Sequence, residues 1–359
     1  MPRRTLRNSR QLENAGLIKE SQVEDIRRVA ERYSVALTPG IASLIDTTDS
    51  DDPIKMQFVP DVRELSTLES ELDDPIGDAK NSPVKGVVHR YPDRALLIPT
   101  HVCSVYCRYC FRREFVGSNG DDALTSEELA DCFRYLRKHP EIWEVILTGG
   151  DPLVLSARRL STIARELSSI EHIGVVRIHT RVPAAAPDRI STSLVDALRA
   201  TKQALFVILH INHHRELTSE ARAACARLID AGIPILSQTV LLKKVNDNAE
   251  ELGKLMRLLV ENRIKPYYLH HCDLAPGTHH FRTSVAAGQR IMRELRGRYS
   301  GLCQPTYVLD IPGGAGKSPI GPSYLAELTK GNSDDIRYVV EDYLGEQHEY
   351  QCIDRADEE

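Results

Sequence analysis

From residue 94 onward, short apolar runs recur along the chain at 95–99, 145–148, 175–179, 205–211, 233–242, 267–269 and 307–309. Between most of them lie longer stretches with one polar face, at 126–138, 157–167, 191–200, 219–231 and 249–262. Near-continuous apolar strands alternating with helices predict a parallel sheet covered on its outside. Six such units predict an α/β fold, an incomplete barrel related to the eight-fold one, with its chemistry at the C-terminal ends of the strands. A doubly wound open sheet shares this period and is the competing architecture. Cys103, Gly149, His210, Gln238 and Asp273 all fall at or just after a predicted strand end.

The pattern before residue 94 differs. Amphipathic stretches at 21–33 and 62–72 predict helices, separated by an acidic, turn-rich segment from Asp46 to Pro53. We therefore expect a helical arm over 1–88, a barrel over 89–325 and a C-terminal tail over 326–359. Composition excludes several classes. The charge of −5 offers no basic field for nucleic acid. The longest apolar run, 204–209, is far short of a membrane span. The basic start leads into no apolar segment of a secretory signal.

Eight cysteines in 359 residues are too few and too irregular for a disulfide framework. Three of them, Cys103, Cys107 and Cys110, stand in a C-x3-C-x2-C run. Iron–sulfur clusters are normally held by four thiolates, so three predict a cluster with one iron open to a ligand. A zinc knuckle would want a second cysteine pair, and none has the spacing. Free thiolates favour a reducing cytoplasm. The remaining five cysteines read as small buried hydrophobes.

Two glycine motifs follow. Gly149-Gly150-Asp151-Pro152 closes a predicted strand, where glycine lets backbone approach a ligand. Gly313-Gly314-Ala315-Gly316-Lys317-Ser318 is no P-loop, because the position five before Gly316 is Ile311 and a proline follows Ser318. A lysine presented by glycines can form a Schiff base with pyridoxal phosphate, the loop amides helping to bind phosphate. Adjacent histidines on a strand point to opposite faces, so the pairs His213-His214, His270-His271 and His279-His280 are each expected to be poor chelates, and no second catalytic metal is expected.

The cysteine motif resembles the signature of radical S-adenosylmethionine enzymes. In order along the chain, Leu37-Thr38-Pro39, Ser82-Pro83-Val84, His89 to Arg94, the cysteine run, the Gly-Gly-Asp-Pro turn, Val245-Asn246-Asp247 and the lysine loop resemble the lysine 2,3-aminomutases. The likeness extends from about residue 35 to 325 and implies three cofactors: a [4Fe-4S] cluster on Cys103, Cys107 and Cys110, S-adenosylmethionine, and pyridoxal phosphate. It implies that Lys317 is the Schiff-base lysine. Arg90, Arg94 and Gly316 would hold the cofactor's phosphate and phenolate side, with Tyr91 against its ring. Gly149, Gly150, Asp151, His210 and Gln238 would hold S-adenosylmethionine. Arg112 would clamp the substrate carboxylate, and Asp273 with Asp310 would receive the ε-ammonium of lysine.

The implied activity is an isomerase reaction, the radical 1,2-migration that interconverts L-lysine and β-lysine. Service to elongation factor P, an arginine or glutamate substrate, and a non-catalytic iron–sulfur sensor are the alternatives. The implied partners are lysine and a reducing donor such as flavodoxin or ferredoxin, with no nucleic acid or membrane, in a homo-oligomer. One departure stands out. Family members with an intersubunit zinc carry a cysteine where this chain has Asn248, together with a C-terminal cysteine cluster. The tail here has only Cys352, so no zinc is predicted.

Overall fold

The computed structural model describes residues 4–117, 123–328 and 336–352. A nine-stranded sheet runs in chain order through β1 (Val87–Tyr91), β2 (Arg94–Thr100), β3 (Glu144–Gly149), β4 (Val175–Thr180), β5 (Ala204–His210), β6 (Ile235–Leu241), β7 (Ile264–His271), β8 (Thr306–Ile311) and β9 (Gly316–Pro319). Strands β2 to β8 are parallel to one another, and β1 and β9 run antiparallel at the two ends. A doubly wound sheet would reverse its strand order at a switch point. This order never reverses, so the incomplete six-unit barrel is the fold.

Six crossover helices cover the outside, Ser126–Lys138, Ala157–Ser168, Thr192–Arg199, Ser219–Asp230, Ala249–Glu261 and Val285–Leu295. Their starts are written in the sequence. Thr125, Ser156, Ser191, Thr218, Asn248 and Ser284 each accept a backbone N–H from the first helical turn. Along the strands side chains alternate. Val145, Leu147, Val176, Ile178, Val207 and Leu209 join the core beneath the helices. Glu144, Thr148, Arg177, His179 and His210 face the hollow inside. The strands are thus less uniformly apolar than their runs suggest, and the inner face carries the chemistry.

The two ends of the sheet meet through a side chain: the Lys317 backbone N–H on β9 donates to the Tyr91 hydroxyl on β1 at 2.7 Å. In the N-terminal arm, helices Val23–Arg32 and Pro53–Phe58 bury Ile26, Ile54 and Phe58 in a second core that reaches Val105 and Ala185. The helix expected over 62–72 is only a 3-10 turn at Val62–Leu65. Glu64, which helical periodicity would leave on a solvated face, is wholly buried and paired with Arg108 at 2.5 Å and with Arg113. That ion cluster pins the arm to the cysteine loop and overrides the helical pattern. In the expected tail region, β10 (Leu325–Glu327), β11 (Ile336–Glu341) and β12 (Gln347–Cys352) form a separate antiparallel sheet. Residues 353–359 of that tail lie outside the described ones. Among the described residues, no helix is long and apolar enough to cross a membrane.

Candidate active site

The inner face of the sheet surrounds a cavity of about 670 Å³. Arg90, Tyr91, Arg94, Arg112, His210, Gln238, Asp273, Asp310 and Lys317 all line it, although the chain separates them by more than two hundred positions. One part of the wall is cationic. Arg90 donates from Nη2 to Asp78 at 2.8 Å, and its Nε is buried without a hydrogen-bond partner. Arg112 donates from Nε to the other oxygen of Asp78 at 2.8 Å and from Nη1 to Thr148 at 3.3 Å. Arg94 lies over the Tyr91 ring, 3.8 Å from its centre, and pairs with Asp93 at 2.7 Å.

Another part of the wall is acidic. The ammonium of Lys317 lies 2.5 Å from each carboxylate oxygen of Asp310, with His270 Nδ1 at 3.5 Å from one of them. Burial alone would raise the Asp310 carboxyl, but the His270 hydrogen bond and the Lys317 charge bring it down to about 2. Burial, and then repulsion by Asp310, push Asp273 up to about 7. His210 and His179 are held neutral by burial, His210 at about 3 and His179 well below its usual value. His179 Nε2 is buried and unpartnered on the cavity wall.

Lys317 is presented by a backbone that only glycine adopts readily. Gly313, Gly314 and Gly316 have φ of 74°, 82° and 102°. A Cβ on Gly316 would stand 3.0 Å from the Tyr91 hydroxyl, and one on Gly314 would stand 2.9 Å from the Ile76 carbonyl. An amine presented by a glycine loop and an unsatisfied guanidinium Nε in one cavity fit an aldehyde cofactor that carries a phosphate.

Cys103, Cys107 and Cys110 sit on the loop after β2, half-buried and free. They do not line the cavity, but Phe111 and Arg112, directly after them, do. Burial, the charge of Asp151 and the other two thiols push Cys103 well up, and burial with Cys107 pushes Cys110 to about 11. Thiolates at Cys103 and Cys110 are stable here only around a cationic group. The trio fits a cluster that gives each sulfur its own iron.

The Gly-Gly-Asp-Pro turn lies against this loop. A Cβ on Gly150 would come within 2.3 Å of the Val102 carbonyl, and Asp151 N–H donates to that carbonyl at 2.8 Å. The Asp151 carboxylate accepts from Leu153 N–H, Thr180 Oγ1 and Arg181 N–H. Gly149, Gly150 and Asp151 therefore fix the turn against the cysteine loop, and only their backbone is left to offer a ligand. Asp78, Thr148 and His179 escaped the sequence reading, and His270 was weighed there only as half of a poor chelating pair. Asp78 sits in an acidic turn whose composition says solvent, and the histidines are legible only once strand register is known. The pair His213-His214 departs from its expectation. It follows β5 in a 3-10 turn, and both rings reach Glu251, at 3.2 and 3.3 Å.

Residues 97–259 match the profile of the Radical SAM superfamily, and residues 292–350 match that of Lysine-2,3-aminomutase. The L-lysine 2,3-aminomutase of Fusobacterium nucleatum is 41% identical over 308 residues, covering 86% of this chain and 72% of that protein. The L-lysine 2,3-aminomutase of Clostridium subterminale is 42% identical over 309 residues, covering 86% and 74%. The glutamate 2,3-aminomutase of Clostridioides difficile is 36% identical over 314 residues, covering 88% and 73%.

Proposed function

The chain belongs to the lysine 2,3-aminomutase family, and from that premise we propose that it interconverts L-lysine and β-lysine in the cavity of the split barrel. The radical SAM enzymes use a [4Fe-4S] cluster and S-adenosylmethionine, and the aminomutases add pyridoxal phosphate. When bound, these groups supply a hydrogen-abstracting 5′-deoxyadenosyl radical and a carbonyl carbon to which the migrating nitrogen is attached. Cys103, Cys107 and Cys110 would hold the cluster. The turn at Gly149, Gly150 and Asp151, with His210 and Gln238, would hold S-adenosylmethionine. Arg90, Tyr91, Arg94, Gly316 and Lys317 would hold pyridoxal phosphate.

The observation that carries the lysine reading is the division of charge within one cavity. Arg112 offers a guanidinium suited to bidentate pairing with an α-carboxylate. Asp273 and Asp310 offer two carboxylates to a distal ammonium, which needs compensating charge when buried. A glutamate side chain would bring a third carboxylate to that acidic wall and be repelled. Gripping lysine at both ends limits which hydrogen can face the radical, and the enclosing sheet keeps water from it. The Lys317 ammonium already rests on Asp310. A substrate ammonium thus enters a position that the protein fills with a charge of the same kind.

The reading further takes a flavodoxin or ferredoxin as electron donor, a cytoplasmic location and a homo-oligomeric state. The free thiols of Cys103, Cys107, Cys110, Cys132, Cys225, Cys272 and Cys303 support the reducing compartment. The test is anaerobic reconstitution with iron, sulfide, S-adenosylmethionine and pyridoxal phosphate, reduction with dithionite, and a panel of lysine, arginine, ornithine and glutamate. β-Lysine from lysine is the expected product. Rearrangement of another member of the panel, with lysine untouched, overturns the substrate assignment.

A further inference from the structure

We propose that Asp78 is a positioning residue that sets Arg112 for the substrate carboxylate and Arg90 for the cofactor phosphate, locking the two subsites to each other. The proposal rests on the aminomutase reading for the ligands that these arginines meet. Its geometry is independent of that reading. One oxygen of Asp78 accepts from Arg90 Nη2 and the other from Arg112 Nε, each at 2.8 Å. The three side chains are nearly enclosed, with 15% of Asp78, 11% of Arg90 and 12% of Arg112 exposed. Both arginines line the cavity and Asp78 does not, so its carboxylate stands behind them rather than plugging the space. With Nε of Arg112 taken by Asp78 and Nη1 by Thr148, rotation of the guanidinium is fixed at two points.

Asp78 is itself held rigidly. Its N–H and that of Ala79 both donate to the Asp74 carboxylate at 2.8 Å, and the Ser82 hydroxyl donates to its carbonyl at 3.0 Å. The same segment rests on the lysine loop, where Gly313 N–H donates to the Pro75 carbonyl at 3.0 Å. A Cβ on Gly77 would come within 2.9 Å of the Gly313 carbonyl. One turn of the N-terminal arm therefore references both arginines and the loop of Lys317 to a common frame.

Two roles for this carboxylate make opposite predictions. If Asp78 only offset charge, removing it would leave two uncompensated guanidinia and tighten anion binding. If it positions them, removing it loosens both and weakens anion binding. For Asp78→Asn we expect the KM for lysine to rise about 10- to 100-fold, the range of one charged hydrogen bond, with a much smaller fall in kcat. Pyridoxal phosphate affinity, read by absorbance titration of cofactor-free protein, should weaken as well. The wild-type preference for lysine over L-lysinamide, measured by competition, should shrink, because only the carboxylate is read by Arg112. Asp78→Glu should recover part of each loss.

Tighter lysine or cofactor binding in Asp78→Asn overturns the proposal in favour of charge offset. Unchanged constants, or equal weakening toward lysine and L-lysinamide, overturn it in favour of a scaffold role. Failure of the wild type itself to rearrange lysine would instead count against the functional reading. The same comparison is then made with the amino acid that reacts and with its amide.

Discussion

Asp273 makes the acidic wall sensitive to pH in a way that can be measured. Its carboxyl titrates at about 7 in the ligand-free site, raised by burial and by Asp310 and lowered in part by Lys317, Arg112 and Arg90. A cation binds best when Asp273 is ionised, so below that midpoint lysine binding must expel a proton. The sign is fixed: affinity rises with pH through the midpoint and then levels. With a midpoint of about 7, one carboxyl in eleven is ionised at pH 6 and ten in eleven at pH 8, so the dissociation constant should fall about tenfold, or about 1.4 kcal/mol. No neighbour supplies the same signal. His210 lies at about 3, His179 and His270 are lowered by burial, and Asp310 lies at about 2. Attachment of cofactor at Lys317 removes a nearby positive charge and moves the midpoint up rather than down. Calorimetric titration of lysine into cofactor-free protein, in buffers of different ionisation enthalpy, would report both affinity and proton release. Affinity that is flat from pH 6 to 8, or a dependence that survives Asp273→Asn, would refute the reasoning.

Lys317→Met should abolish the absorbance band of covalently held pyridoxal phosphate. In cofactor-free protein it should also bind lysine more tightly than wild type does, because the ammonium resting on Asp310 is gone. Calorimetry decides, and equal affinities would show that Lys317 does not mask that site. Glu64→Gln leaves two buried guanidinia poorly paired and should cost about 3–5 kcal/mol of stability in denaturant unfolding; a change under 1 kcal/mol would contradict the ion cluster's role. Tyr91→Phe removes the acceptor of the Lys317 N–H and should weaken cofactor affinity about two- to tenfold. Cys103→Ala, Cys107→Ala and Cys110→Ala should each prevent cluster retention, seen as loss of bound iron after anaerobic desalting.

The barrel was legible because buried strands and capped helices each obey a short-range rule. Thr125, Ser156 and Asn248 announce their helices, and 145–148 and 205–211 announce their strands from a few neighbouring residues. Glu64 obeys no such rule. Its partners Arg108 and Arg113 lie more than forty residues away, and an acid in an amphipathic pattern reads as solvated until they are in place. Asp78 was missed for the same reason. Arg90, Arg112 and Lys317 were found through motifs, but no local pattern reveals that they share a cavity. The glycines at 149 and 150 show the converse: the motif reads as an approach to a ligand, while the structure sets Gly149 against Ile98 and Thr100 and Gly150 against the backbone of His101 and Val102.

The bond between Tyr91 and the Lys317 backbone has a mechanical consequence. It spans the seam of an unclosed cylinder, whose two lips are the antiparallel strands β1 and β9. A cofactor gripped by Arg90 and Tyr91 on one lip and by Lys317 on the other would act as a rivet across that seam. Loading would then be felt as stiffness: amide exchange at 87–91 and 316–319 should slow together, while strands on the far side of the cylinder keep their rates. The protein would close its wall with the group that it uses for chemistry, so an unloaded cylinder would be both inactive and slack.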